Sequence, residues 1–164
     1  MTTSRLKALN TECTLCVGGK TPDDLIAAGR YTVHRGSVQL LAAKGLIRTS
    51  PARLITVESV PYMAMAYTAD IERDFTERGL VALDPEEMLT FGTLGHRLAP
   101  GLCFFAPRAI ALELHDSDSG LSLRKYGAIA IATAPNGDTH LCMPDWCKAG
   151  GSGWRGVALG KLRT

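Results

Sequence analysis

Apolar positions recur along this chain in two rhythms, and each rhythm names a kind of element. Residues 36–44 follow the helical period: Gly36-Ser37 opens the segment, Val38, Leu41 and Ala42 share a face, and Gly45 stops it. Residues 70–78 repeat the pattern, with Ile71, Phe75 and the aliphatic stem of Arg78 inward and Glu72, Arg73 and Glu77 outward, closed by Gly79. Strand-like runs occupy residues 31–34, 54–60, 102–105, 109–114, 121–124, 128–133 and 139–143. Those at 102–105 and 109–114 read as buried. Pro61 either ends the 54–60 strand or places it at a sheet edge. Met63 and Met65, just beyond, read as core filling, because methionine adapts to irregular gaps.

Turn and cap residues divide these runs. Thr21 caps a helix with Pro22 at its first position, which should reach about Ala28 and end at Gly29. Asp84-Pro85-Glu86-Glu87 is a second such start, with a carboxylate three residues past the cap. Its acids serve the helix dipole, and no partner spacing supports a metal role for Glu86 or Glu87. Residues 117–120 turn the chain, and Pro135-Asn136-Gly137-Asp138 is the strongest hairpin signal, joining 128–133 to 139–143. Helices and short strands come first and a run of strands follows. The expected fold class is α+β (mixed α/β), a small curved sheet with flanking helices. One domain spans 1–164, with 1–12 and the glycine-rich 148–164 as flexible arms, Arg5 and Lys7 exposed on the first and Trp154 anchoring the second.

Composition narrows the class without naming a partner. The 164 residues are 46% hydrophobic and 21% charged, as in globular proteins. No apolar run approaches the roughly 20 residues of a membrane helix, and residues 1–10 lack the apolar centre of a secretory signal, so no membrane insertion and a cytoplasmic location are expected. The net charge of +2 hides an asymmetry: residues 1–53 carry 8 basic and 3 acidic side chains, residues 54–118 carry 4 and 11, and residues 119–164 carry 6 and 2. Basic ends that meet would give nucleic acid a face; equally, they would dock on the acidic middle. Five cysteines without a signal point to reduced thiols. Cys13 and Cys16 have the spacing of half a zinc knuckle, but His140, Cys142 and Cys147 do not complete it, so no zinc is expected. Gly19-Lys20-Thr21 resembles the end of a P-loop, yet Thr14 stands where the first glycine is required.

The stretch Phe91-Gly92-Thr93-Leu94-Gly95-His96-Arg97-Leu98-Ala99 concentrates the candidate chemistry. Glycines at 92 and 95 let a backbone approach a phosphate, and Arg97 offers a planar fork that pairs two oxygens. His96 donates to a phosphate or moves a proton near neutral pH. His34 and Arg35, at another glycine-bordered junction, are the next contributors. For hydrolysis, a divalent ion would be held by Asp116 or Asp118.

Residues 54–102 resemble the superfamily that contains ParB and sulfiredoxin. The matching features are Ser59-Val60-Pro61, the helix from Glu72 closed by Gly79-Leu80, and the turn from Phe91-Gly92 to Gly95-His96-Arg97. The resemblance implies a ParB/sulfiredoxin-like fold and binding of a nucleotide or DNA phosphate. His96 and Arg97 would be catalytic if the chain is a nuclease or nucleoside triphosphatase, using ATP or another nucleotide with a divalent metal. Some plasmid-encoded relatives suppress DNA transfer from their host cell. Gly95 stands where sulfiredoxins carry their catalytic cysteine, so that activity is not expected. Leu98 and Pro100 stand where ParB proteins continue a longer helix, and Asp84-Pro85 starts a helical turn where the family often has a strand. A second resemblance, of His34-Arg35-Gly36 and the helix after it to the opening of ADP-ribosyltransferases, implies an NAD site; Arg35 interrupts its histidine version. A non-catalytic interaction module is the third reading.

Overall fold

The computed structural model describes residues 12–34, 36–115, 117–144 and 153–163. In chain order the elements are β1 (Cys13–Val17), α1 (Pro22–Ala28), β2 (Val33–His34), α2 (Gly36–Ala43), β3 (Arg53–Tyr67), α3 (Thr68–Glu77), β4 (Leu80–Ala82) and α4 (Pro85–Gly92). A 3-10 turn (Gly95–Arg97) follows, then β5 (Cys103–Phe105), β6 (Ile110–His115), β7 (Ser122–Gly127), β8 (Ala130–Thr133), β9 (Thr139–Cys142) and β10 (Gly153–Leu162). The α+β class holds: one open sheet runs β1-β3-β10-β5-β8-β9-β2, with β4 also on β10, and β6 pairs β7 apart from it.

The last strand is the middle of the sheet. Val157 and Leu159 of β10 enter one apolar cluster while Ala158 enters the other, and all three are fully buried. Such a strand, covered on both faces, reads as a continuous apolar run and not as an alternation. It pairs antiparallel with β3 (Ala158 opposite Val60) and β4, and parallel with β5 (Val157 opposite Phe104). The two faces divide the helices. Leu25 and Ile26 of α1, Val38 and Leu41 of α2, and Met88, Leu89 and Phe91 of α4 fill the first cluster. Ile71 and Phe75 of α3 fill the second, where Phe105 stacks on Trp154 with ring centroids 4.6 Å apart.

Local cap chemistry acts as the sequence predicts. Thr21 and Asp24 form a capping box at α1, and Asp84 and Glu87 form another at α4, each with proline in the first turn. The predicted hairpin is present between β8 and β9, with Thr133 opposite Thr139 and Gly137 at φ 92°. Both a short strand, β4, and the helix at Asp84-Pro85 occur between Gly79 and the central turn.

Of the two outcomes expected at Pro61, the edge position is the one observed: β3 continues to Tyr67, and β1 covers only the stretch Arg53 to Val57, so beyond it the flank away from β10 is a sheet edge among the described residues. Four expectations need correction. Met63 and Met65 lie on that uncovered end and are 41% and 72% exposed, not core filling. Residues 109–114 are not a buried strand: β6 belongs to a two-stranded ribbon with one face available to the core, and Leu112 is its only buried side chain. Arg78 turns outward to pair with Asp74 at 2.9 Å. Residues 153–163 are no arm, since Trp154 is buried at the start of β10. The glycines there serve close packing: a side chain on Gly156 would meet the Cys103 carbonyl, and one on Gly160 would meet Phe75. The expected arm at 1–12 falls almost wholly outside the described residues.

Candidate functional site: a glycine-floored cleft at Arg30

The site begins where α1 meets the sheet. Gly29, the expected helix end, is right-handed at φ −68°, and a side chain there would overlap the ring of Tyr31. Packing thus claims the glycine, and the left-handed turn falls one residue later, on Arg30 at φ 50°. Among the described residues Arg30 is the sole non-glycine residue with positive φ. This conformation costs an L-residue about 1 kcal/mol, which the surroundings hold in place. The Arg30 N–H donates to the Ala27 carbonyl at 3.2 Å, and the Thr32 N–H donates to the Thr139 carbonyl at 2.9 Å.

Gly95 arrives at the same corner from the central turn. A side chain at this buried glycine would contact Thr139 at 3.1 Å and the Gly29 carbonyl at 3.7 Å. Thr133 fixes the following loop: its hydroxyl donates to the Ala99 carbonyl at 2.7 Å and accepts from the Leu102 N–H at 2.9 Å. The result is an open cleft of ≈ 390 Å³. Gly29, Arg30 and Thr32 line it from the first corner, Thr93 and Gly95 from the central turn, and Gly137, Asp138 and Thr139 from the hairpin.

Arg30 supplies the cleft's cation. It is exposed, and its guanidinium makes no ion pair or hydrogen bond among the described residues. The Asp138 carboxylate is engaged locally, accepting from the Asn136 amide at 3.0 Å. Three glycines, threonine hydroxyls and one uncommitted planar cation suit an oxyanion better than a metal.

The predicted residues separate into several places. Gly95 lines the cleft, and Arg97 is exposed two residues further along the same turn. His96 is described by its backbone, within that turn. Gly92 is buried in the last turn of α4, where a side chain would overlap the Tyr31 hydroxyl, so its smallness serves packing. His34 pairs with Leu141 through the β2 backbone, and Gly36 opens α2. Arg35, Asp116 and Cys147 lie outside the described residues. Asp118 is exposed in the turn of the β6–β7 ribbon. On β1, Leu15 and Val17 face inward with Cys13 partly buried beside them, while Cys16 is exposed. An odd spacing on a strand sends the two thiols to opposite faces.

Glu86 and Glu87 are buried and fully engaged. Glu86 accepts from the Ser50 N–H and hydroxyl, at 2.9 and 2.6 Å, and pairs with Arg53 at 3.3 Å. Glu87 accepts from Arg53 and the Asp84 N–H, each at 2.9 Å, and from Lys161. Burial alone would raise the Glu87 pKa; the hydrogen bonds from Lys161, the Asp84 N–H and Arg53 outweigh it and hold the carboxyl below its ordinary range. These carboxylates tie α4 to β3 and β10.

Sequence reasoning missed Arg30. No motif surrounds it, and the glycine before it absorbs the expected helix end. Its signal is available only once Tyr31 is known to occupy the space beside Gly29. Among the described residues no helix is long and apolar enough to cross a membrane. No protein-family model matches the chain, no curated protein matches it, and no solved structure matches its fold.

Proposed function

We propose that this chain binds a nucleotide or DNA phosphate in the Arg30 cleft, a function in keeping with its resemblance to the ParB/sulfiredoxin superfamily. The observation that carries the reading is an uncommitted arginine in a left-handed conformation beside a cleft floored by Gly95. Strained backbone persists where the surroundings over-determine it, and such positions concentrate at ligand sites. The volume of ≈ 390 Å³ falls within the range of small-molecule sites, about 300–1,000 Å³. Arg97, on the same turn, supplies a second contact to the bound phosphate. Any hydrolysis of the nucleotide or the DNA takes place on the phosphate held here.

Calorimetric titration of ATP, CTP and a short DNA duplex, with and without Mg²⁺, tests this on the wild type, Arg30→Ala and Arg97→Ala. Each substitution should weaken binding by roughly 1.5–3 kcal/mol, the scale of a charge-assisted hydrogen bond, without unfolding the protein. Equal affinities in all three proteins would remove the cleft from consideration. Product analysis of the same mixtures reads turnover.

A further inference from the structure

The sheet ends in two short strands, β1 of five residues and β2 of two, and short edges are one way a sheet avoids pairing with another chain. β3 departs from that protection. Its residues 58–67 extend past β1, so their outer flank is an edge among the described residues. On the inner flank, the register with β10 passes from Ala66 to Tyr62 and skips Met63, Ala64 and Met65. Those three residues and Tyr67 are exposed. From Ser59 to Tyr67 no side chain is charged.

We propose that this edge pairs with the same edge of a second copy of the chain, antiparallel, about a two-fold axis at Ala64. Charge selects a second copy over a foreign peptide. A two-fold contact sets a surface against itself, so any like charges would face each other, and residues 59–67 have none to oppose. A charged peptide would find no counter-charge there. Register makes the same selection. An axis at Ala64 sets Met63 opposite Met65 of the second copy, where flexible thioethers fill the irregular space beside the interrupted ladder. It also sets Pro61 opposite Tyr67, at the two ends of the pairing, where a missing N–H costs least. β1 stays clear, because it flanks only Arg53 to Val57 and the incoming strand ends opposite Pro61. A contact of seven-residue strands with three apolar side chains on each belongs to the small class of interfaces, below about 1,200 Å² in total. The dimer is therefore a weak one, with a dissociation constant on the order of 10 µM.

Sedimentation velocity of the full-length protein from about 1 to about 200 µM tests the proposal, and the monomer should give way to the dimer within that range. Met65→Lys should move the midpoint to at least about tenfold higher concentration, because each dimer loses the burial of two methionines. Leu54→Lys is the control: Leu54 is 73% exposed against 72% for Met65, but it lies beside β1, so its midpoint should not move. Ala64→Cys, made together with Cys16→Ser to remove an exposed thiol, should form an intermolecular disulfide under mild oxidation. A residue on the axis faces its own copy at about 4.5–5.5 Å between Cα atoms, within bridging distance. A protein that stays monomeric throughout, a dimer that Met65→Lys leaves unweakened, or an Ala64→Cys variant that does not cross-link would each overturn the proposal. Thermal melts show whether the variants fold, and should Met65→Lys unfold, the disulfide decides.

Discussion

Arg30 shows how a residue's conformation is decided by its neighbours. A glycine at a helix end ordinarily takes the left-handed position, and that is how Gly29 reads in the sequence. Tyr31 needs the space instead, so the arginine carries the turn. The same aromatic ring explains Gly92, which in the sequence reads as backbone left open for a ligand. Neither role is legible without knowing that residues 31 and 92, sixty-one positions apart, meet. Comparing Arg30→Gly with Arg30→Ala isolates the strain, because both remove the guanidinium and only one retains a Cβ. The glycine variant should be more stable by about 1 kcal/mol in urea denaturation. An alanine variant equal to or more stable than the glycine variant would show that residue 30 carries no left-handed strain.

Elements with local chemical signals were legible, and those held by distant partners were not. Thr21 and Asp84 announce α1 and α4 because a cap, a proline and a carboxylate act within four residues. The β8–β9 hairpin was readable for the same reason. β10 was not, because glycines that suggest a loose tail are there to admit the Cys103 carbonyl and Phe75. The α4 acids read as dipole partners, and they are also the anchor of that helix to the sheet. Glu87 is fully buried on Arg53, Lys161 and the Asp84 N–H. Glu87→Gln should cost roughly 1.5–3 kcal/mol at neutral pH, the scale of hydrogen bonds to a charged group. The sign of its pH dependence follows from the lowered pKa. The carboxylate's stabilisation is fully present above the ordinary value of 4.5 and is lost as pH falls through the lower folded value. In urea titrations the gap between wild type and variant should therefore be constant from pH 7 to about 5 and close on further acidification. A gap that persists unchanged to pH 3 would mean that the carboxylate's charge contributes nothing.

At the scale of the whole molecule, the α+β class followed from the order of patterns, because helical and strand periodicities are properties of short windows. Strand order did not, since it depends on a terminal segment inserting between β3 and β5. That topology shapes the candidate site. β9 carries the hairpin end at Thr139 to the α1–β2 corner, and α4 delivers Gly95 against both. Three segments far apart in sequence thus converge on one cleft, while the sequence motifs point to the central turn and, next, to His34-Arg35. Amide chemical-shift perturbation on ¹⁵N-labelled protein during titration with ATP tests this convergence most directly. The account predicts that the largest shifts fall together at Gly29 to Thr32, Thr93 to Gly95 and Gly137 to Thr139, and that Arg30→Ala moves their midpoint to at least about tenfold higher ATP concentration. Saturable shifts confined to other residues, or shifts at these positions whose midpoint Arg30→Ala leaves unmoved, would contradict it.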